Sequence, residues 1–258
     1  MKILITGGNG YIAKGLFKSL KNNYDVTSIS RDNFDLTNYQ ELNSFFQNKY
    51  FDLVIHCAIV GGNRLKKDSY TQTDNNLKMY YNLLQHKDLH FSKLIHFGSG
   101  AEIYAPDTPF GISKKIISKS SLEIKNYYNI RIFGLFDENE WETRFIKSNI
   151  KRYINKKPII IHQDKRMDFF YMKDLISLVK YYINNDDLPK EINCSYGDPI
   201  KLSDIANIIN NLDDHKVDII FENKGYGFDY YGPSNNLLDY IGLEQGIKEM
   251  YDIIKNEY

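Results

Sequence analysis

The opening stretch MKILITGGNGYI restricts the fold more than any other part of the chain. Residues 2–6 form an apolar, β-branched run of strand length, which passes without a spacer into Gly7, Gly8 and Gly10. Ile12, Leu16 and Leu20 then recur every fourth position, the period of one helix face. A buried strand feeding a glycine turn and then an amphipathic helix is the unit that lays a pyrophosphate on a helix N-terminus. Gly7 and Gly10 allow the tight turn and the close approach of backbone to ligand, and Ala13 fills the third small position, where helix packs on strand. Thr6, Gly7, Asn9, Gly10, Tyr11 and Ile12 are therefore the candidate cofactor cradle.

Strand-length runs recur at 24–30, 52–58, 93–98, 129–134 and 157–162, most of them separated by segments of helical period such as Leu77, Tyr80, Tyr81, Leu84 and Ile112, Ile116, Ile117. Alternating strands and helices imply crossover units and a parallel sheet. The expected fold is α/β: a Rossmann-type doubly wound parallel sheet with a small C-terminal substrate-binding lobe. Residues 1–162 form the nucleotide-binding domain, and 163–258 complete its core and build the lobe. The looser tail predicts helices near 143–154, 173–184, 203–211 and 244–256, with short strands at 191–196 and 216–222.

Lys plus Arg and Asp plus Glu both number 33, so no net field favours nucleic acid or an anionic membrane as partner. The two cysteines, Cys57 and Cys194, lack metal-ligand spacing, and no metal is expected. No apolar stretch approaches the ~20 residues that cross a bilayer, and the first strand leaves no room for a leader, so a cytoplasmic protein is expected.

The second strand ends in SISRDNFDLT, where a carboxylate for a ribose diol would stand at the tip; Arg31 occupies that place. A guanidinium there suits a 2′-phosphate, which favours NADPH, with Asp35 and Leu36 near the adenine.

Several motifs in order resemble the extended short-chain dehydrogenase/reductases, the nucleotide-sugar epimerase, dehydratase and reductase family. TGGNGYIA at 6–13 is similar to their glycine loop, HCAIVGG at 56–62 to the stretch lining the cofactor, and GSGAEIY at 98–104 to the strand carrying a catalytic Ser or Thr. MDFFYMKDL at 167–175 and EINCSYGDPIKLSDIANII at 191–209 resemble two later segments. The resemblance implies cofactor contacts from Cys57, Ala58, Val60, Asn76 and Lys114, and substrate contacts from Ser99, Gly100, Arg144 and Arg166. It also implies a homodimer built from the helices after the 52–58 and 93–98 strands, where Tyr80, Tyr81, Ile116 and Ile117 exceed one buried stripe.

Within the family the likeness is to GDP-fucose synthase-like reductases, which implies NADPH-dependent reduction of the C4 ketone of a GDP-, dTDP- or CDP-linked deoxy sugar for a surface polysaccharide. Ala101 or Glu102, and Arg144, stand where that branch keeps its epimerisation acid and base, so no 3,5-epimerase activity is expected. The family's catalytic group is Ser99, a tyrosine, and Lys114 four residues after it on the same helix face. Here the tyrosine position in TPFGISK is Phe110. Three accounts are open: Phe110 marks an inactivated variant of a tyrosine enzyme, the reading favoured here; the chain is a non-catalytic nucleotide-sugar or NADPH-binding protein; or Tyr104, Ser99 or water supplies the proton. A 4-epimerase or dehydratase with bound NAD is the alternative within the fold.

Overall fold

A computed structural model describes residues 1–63, 66–197 and 199–257. The elements follow in the order β1 (Lys2–Thr6), α1 (Tyr11–Leu20), β2 (Asp25–Ile29), α2 (Tyr39–Phe46), β3 (Phe51–His56), α3 (Tyr70–Leu84), β4 (Phe91–Ser99), α4 (Ala101–Tyr104), α5 (Pro109–Ser121) and β5 (Tyr127–Ile132). Then come β6 (Leu135–Phe136), α6 (Phe145–Ile154), β7 (Ile159–Ile161), β8 (Arg166–Met167), β9 (Phe170–Tyr171), α7 (Met172–Asn184), β10 (Glu191–Cys194), β11 (Ile200–Lys201), α8 (Leu202–Asn210), β12 (Ile219–Phe221) and α9 (Leu243–Lys255).

The chain divides into two compact units. The first comprises Met1–Arg131 and Val179–Ile192, the second Ile132–Leu178 and Asn193–Tyr258. The boundary expected at 162 thus falls inside the second unit. The segment 132–162 packs there because Phe136, Ile146, Ile150, Tyr153, Ile159 and Ile161 share a core with Ile205, Ile209, Ile247 and Ile254. In that unit β6 pairs β9 and β7 pairs β12, both parallel, while β8 and β11 are antiparallel.

The first unit is organised by a six-stranded sheet in the order β10-β5-β4-β3-β1-β2. Ile3, Leu4 and Ile5 are buried throughout, as the unbroken apolar run of a central parallel strand requires. The parallel registers pair Thr6 with His56 and His56 with His96, so these three side chains form a row across β1, β3 and β4, at the carboxyl ends of the first two. β1 lies between β2 and β3, the point at which successive connections leave in opposite directions and where open α/β sheets bind ligands.

The expected helix stripes need one correction. Tyr80 and Ile117 lie in the sheet-facing core beside Leu83, Phe91 and Tyr127, whereas Tyr81 and Ile116 remain 46% and 38% exposed. The apolar surplus on α3 and α5 is therefore two residues rather than four. Among the described residues no helix is long and apolar enough to cross a membrane.

Candidate functional site

The turn after β1 is built as a cradle. Gly7 has φ +69, and a Cβ there would stand 2.7 Å from the Ala58 backbone, so only glycine lets the loops after β1 and β3 approach this closely. Gly10 is the N-cap of α1 and supplies no side-chain cap, which leaves the first helical N–H groups for an anion. Thr6 Oγ1 is 2.8 Å from His56 Nδ1 and accepts from Ala58 N–H at 3.3 Å, tying the two loops together from beneath. Tyr11 and Ile12 stand half-buried in the first turn of α1.

Arg31 is exposed just beyond β2. Its neighbour Asp32 changes the reading of this tip. Asn9 Nδ2 donates to Asp32 Oδ2 at 2.7 Å and Ser30 Oγ donates to it at 3.1 Å, and these bonds hold the carboxyl below its usual range. An acid is thus anchored to the glycine turn, one residue past the position at which the sequence shows none. Asp35 and Leu36 are engaged locally: Asp35 Oδ1 accepts from Thr37 N–H at 2.9 Å, and Leu36 lies in the hydrophobic core.

Cys57, Ala58 and Val60 line the loop after β3, half-buried. Asn76 braces that loop: it accepts from Val60 N–H at 2.9 Å, donates to Val60 O at 2.9 Å and donates to Ser113 Oγ at 3.2 Å. Its amide is spent on positioning, and any contribution to a cofactor passes through the loop it holds.

Ser99 ends β4 and Gly100 opens α4; Ser99 Oγ accepts from Ala101 N–H at 3.2 Å, leaving its hydroxyl proton to donate. Glu102 sits behind the serine, 7% exposed, with Oε1 accepting from Ser99 N–H at 2.8 Å and Oε2 from Arg131 Nε at 2.7 Å. Arg131 also reaches Glu191 at 2.9 Å. Both oxygens of Glu102 are committed, so it positions the serine strand and has no free face for proton exchange with a substrate carbon.

Thr108 caps α5, accepting from Gly111 N–H at 3.2 Å, and Pro109 occupies the first helical position. That start sets the phase of the helix and puts Phe110 and Lys114 on one side. The Phe110 ring lies against Gly62, where a Cβ would come within 2.8 Å of the ring, and Lys114 Nζ is 5.7 Å from the ring centroid. Lys114 is 5% exposed; Nζ donates to Phe97 O at 2.5 Å and lies 3.4 Å from His96 Nε2. Burial pushes its pKa down to about 8, against the opposing pull of Glu102 and Cys57. Burial, with Lys114 nearby, lowers His56 to about 3 and holds His96 well below the usual histidine range. The Cys57 thiol is driven up by burial.

Ser99, Phe110, Lys114 and the glycine cradle thus all belong to the first unit. Arg144 and Arg166 belong to the second. Arg144 is the N-cap of α6 and lies 5.8 Å from the Trp141 ring. Arg166 pairs with Asp229 at 2.9 Å, 5.7 Å from the Tyr231 ring. Among the described residues no three His, Cys, Asp or Glu side chains gather as a metal site would. The features missed from the sequence are Asp32, the Glu102–Arg131–Glu191 cluster and the buried histidine row. Asp32 was visible beside Arg31; the other two depend on contacts between residues far apart in the chain.

A switch-point glycine cradle, a serine at the end of β4 and a lysine one helical turn past an aromatic residue define a nucleotide-binding α/β protein of the short-chain dehydrogenase/reductase kind. Residues 3–195 match the NAD dependent epimerase/dehydratase family, and the chain belongs to it. It is 25% identical to the GDP-L-colitose synthase of Yersinia pseudotuberculosis over a 305-residue alignment covering 100% of this chain and 99% of that protein. Among solved structures it is similar to MlghC, a GDP-mannoheptose C4 reductase from Campylobacter jejuni with NADP bound, with a TM-score of 0.79, 19% identity and 98% of each chain covered. A tyrosine-to-phenylalanine mutant of UDP-glucuronic acid 4-epimerase from Bacillus cereus has a TM-score of 0.74, 20% identity and 100% of each chain covered.

Proposed function

We propose that this chain is the scaffold of an NADPH-dependent reductase of the C4 ketone in a nucleotide-activated deoxy sugar, without epimerase activity, serving surface polysaccharide synthesis in the cytoplasm. The observation that carries it is the assembly of Ser99 and Lys114 with a phosphate cradle in one unit, around an aromatic ring at the proton-donor position. The name of the GDP-mannoheptose C4 reductase agrees with it. NADPH, when bound, supplies the hydride. Gly7, Gly10 and the open N-terminus of α1 would hold its pyrophosphate, Arg31 its 2′-phosphate and Lys114 its nicotinamide ribose. Ser99 donates to the ketone oxygen and stabilises the charge that develops there. Glu102, tied to Arg131, leaves no free carboxylate for epimerisation, and a guanidinium such as that of Arg144 is no base.

Phe110 preserves the shape of a tyrosine pocket and removes the phenol, whose general-acid role is worth roughly a hundred- to ten-thousand-fold. The test is loss of dihydronicotinamide absorbance with nucleotide-linked 4-keto-6-deoxy sugars, in the chain as it stands and in Phe110→Tyr. The tyrosine substitution should raise turnover by roughly a hundredfold or more with little change in KM. A Phe110→Tyr protein that binds NADPH and reduces no keto sugar would make this a binding protein instead.

Asp32 favours a second reading. Anchored to Asn9, its carboxylate suits a ribose diol, as in a 4-epimerase or dehydratase that retains NAD. NAD(H) co-purifying with the protein would decide for it. The exposed Tyr81 and Ile116, on helices that pack against each other, support a homodimer through α3 and α5.

A further inference from the structure

The ring of Phe110 has no proton to give, so in this chain the hydrogen that completes a carbonyl reduction comes from another group. The polar side chains that interact with Lys114, and then Lys114 itself, can be tested one by one. Glu102 has both oxygens engaged, by Ser99 N–H and Arg131 Nε. His56 and His96 sit neutral inside the sheet, and a neutral imidazole releases no proton near neutral pH. Burial makes Cys57 a still weaker acid than an ordinary thiol. Lys114 differs from all of these. An ammonium carries three N–H donors, and the acceptors here are two, Phe97 O at 2.5 Å and His96 Nε2 at 3.4 Å. The third N–H has no acceptor among the described residues, in a group 5.7 Å from the centre of the Phe110 ring, and it is the one that the proposed ribose contact and a substrate oxygen would share.

We infer that Lys114 is the proton donor of this site, acting where a phenol would act in a tyrosine enzyme, with His96 as its positioning residue. The inference rests on the reductase reading. As hydride from a dihydronicotinamide bonds to the carbonyl carbon, the carbon–oxygen π pair moves to oxygen. That oxygen takes a proton from Lys114 Nζ, giving an alcohol and a neutral amine, and the amine recovers a proton from solvent between turnovers. For His96 Nε2 to accept from the ammonium, the ring proton must sit on Nδ1, which is buried and has no hydrogen-bond partner. The sheet therefore leaves one polar atom unsatisfied while the lysine is aimed, a cost that structural packing alone does not explain.

Lys114 is faced by Glu102 from α4, Cys57 after β3, His56 from β3 and His96 from β4. With its pKa pushed down to about 8, it is an ammonium at pH 7 and loses the transferable proton just above.

The test has two arms. In apo-protein labelled with 13C-lysine, the Lys114 signal, assigned by its loss in Lys114→Arg, should titrate near pH 8 and move in His96→Leu. In single turnovers, the chain as it stands should oxidise NADPH against a 4-keto nucleotide sugar slowly, the rate falling tenfold per pH unit above about 8. Lys114→Arg keeps the charge and the donors and cannot release a proton, so it should cost roughly a hundredfold or more here and much less in a Phe110→Tyr background. Rescue should not follow from raising NADPH. A Lys114 titrating near the ordinary value of about 10.4 would overturn the proposal. So would a rate insensitive to Lys114→Arg, a rate lost instead in Tyr104→Phe, or no turnover as it stands beside an active Phe110→Tyr chain. If both chains bind NADPH and neither reduces any 4-keto sugar, the reductase reading fails and this proposal with it.

Discussion

Acidification should loosen the first unit selectively, because burial lowers the pKa of three of its histidines, His56, His86 and His96, the first and last of them inside the sheet. His56 and His96 face each other across β3 and β4 with ring centroids 5.5 Å apart, both inside the sheet. Their folded pKa values lie below the unfolded value of about 6.5, to about 3 for His56. A group depressed in this way stabilises fully above its unfolded pKa, and the contribution is lost as pH falls toward the folded one. Between pH 6.5 and 5 the unfolded chain binds one proton per histidine that the folded chain refuses, at about 1.4 kcal/mol per pH unit. The loss is about 2 kcal/mol for His56, and His96 adds to it in the same direction. Lys114, also depressed, has already lost its contribution below pH 8 and adds no slope in this window. In the second unit the sign reverses. Burial raises Asp168 to about 6 and Glu140 to about 8, so those groups gain stability as pH falls. Amide exchange followed by mass spectrometry, corrected for the intrinsic rate, should show protection in β1, β3 and β4 falling roughly 30-fold or more from pH 7 to 5. His96→Phe should remove part of that sensitivity. Equal protection of those strands at both pH values would refute the argument.

Four further outcomes are expected. Arg31→Ala should weaken NADPH by about 1.5–3 kcal/mol and NADH far less, with Asp32→Ala showing the reverse preference; calorimetric titration of both cofactors checks this, and equal losses would reject the assignment. Gly111→Ala would set a methyl 1.8 Å from Ala105 O, so α4 and α5 must part. That should cost about 1–3 kcal/mol or more by urea denaturation, and an unchanged midpoint would exclude the close packing. Glu102→Gln should destabilise by about 1.5–3 kcal/mol in thermal melts, less than the 3–5 of a stranded buried ion, because Glu191 still pairs with Arg131. A homodimer should sediment at micromolar concentration and fall to monomer in Tyr81→Glu/Ile116→Lys; a parent sedimenting only as monomer would refute it.

Periodicity and spacing made much of this molecule legible. The β1 run, its glycine turn and the Phe110–Lys114 interval are all local patterns, set by strand alternation and the helical repeat. The predicted late helices near 143–154, 173–184, 203–211 and 244–256 appear as α6, α7, α8 and α9. Two-residue strands such as β6 and β8 carry no period and were invisible. So was the fate of Tyr80 against Tyr81, adjacent aromatics of which one turns to the sheet and the other to solvent. Asp32 was in plain view, yet its bond to Asn9 spans 23 residues, and spacing along the chain carries no sign of it. The commitment of Glu102 to Arg131, 29 residues on, is a fact of the same kind.

The discontinuity of the first unit has a consequence during synthesis. Its chain breaks off at Arg131 and resumes at Val179, and the sheet closes only when β10 pairs outside β5. From Arg131 to Ile192 is 61 residues, which a ribosome delivers in about 3–12 s at 5–20 residues per second. Through that interval Tyr127–Ile132 is a bare apolar edge, the kind of template on which nascent chains pair with one another. Expression yield should therefore depend on translation speed across 132–192 and on chaperones that shield the growing edge, and a cut made at 162 should release an insoluble fragment rather than a nucleotide-binding domain.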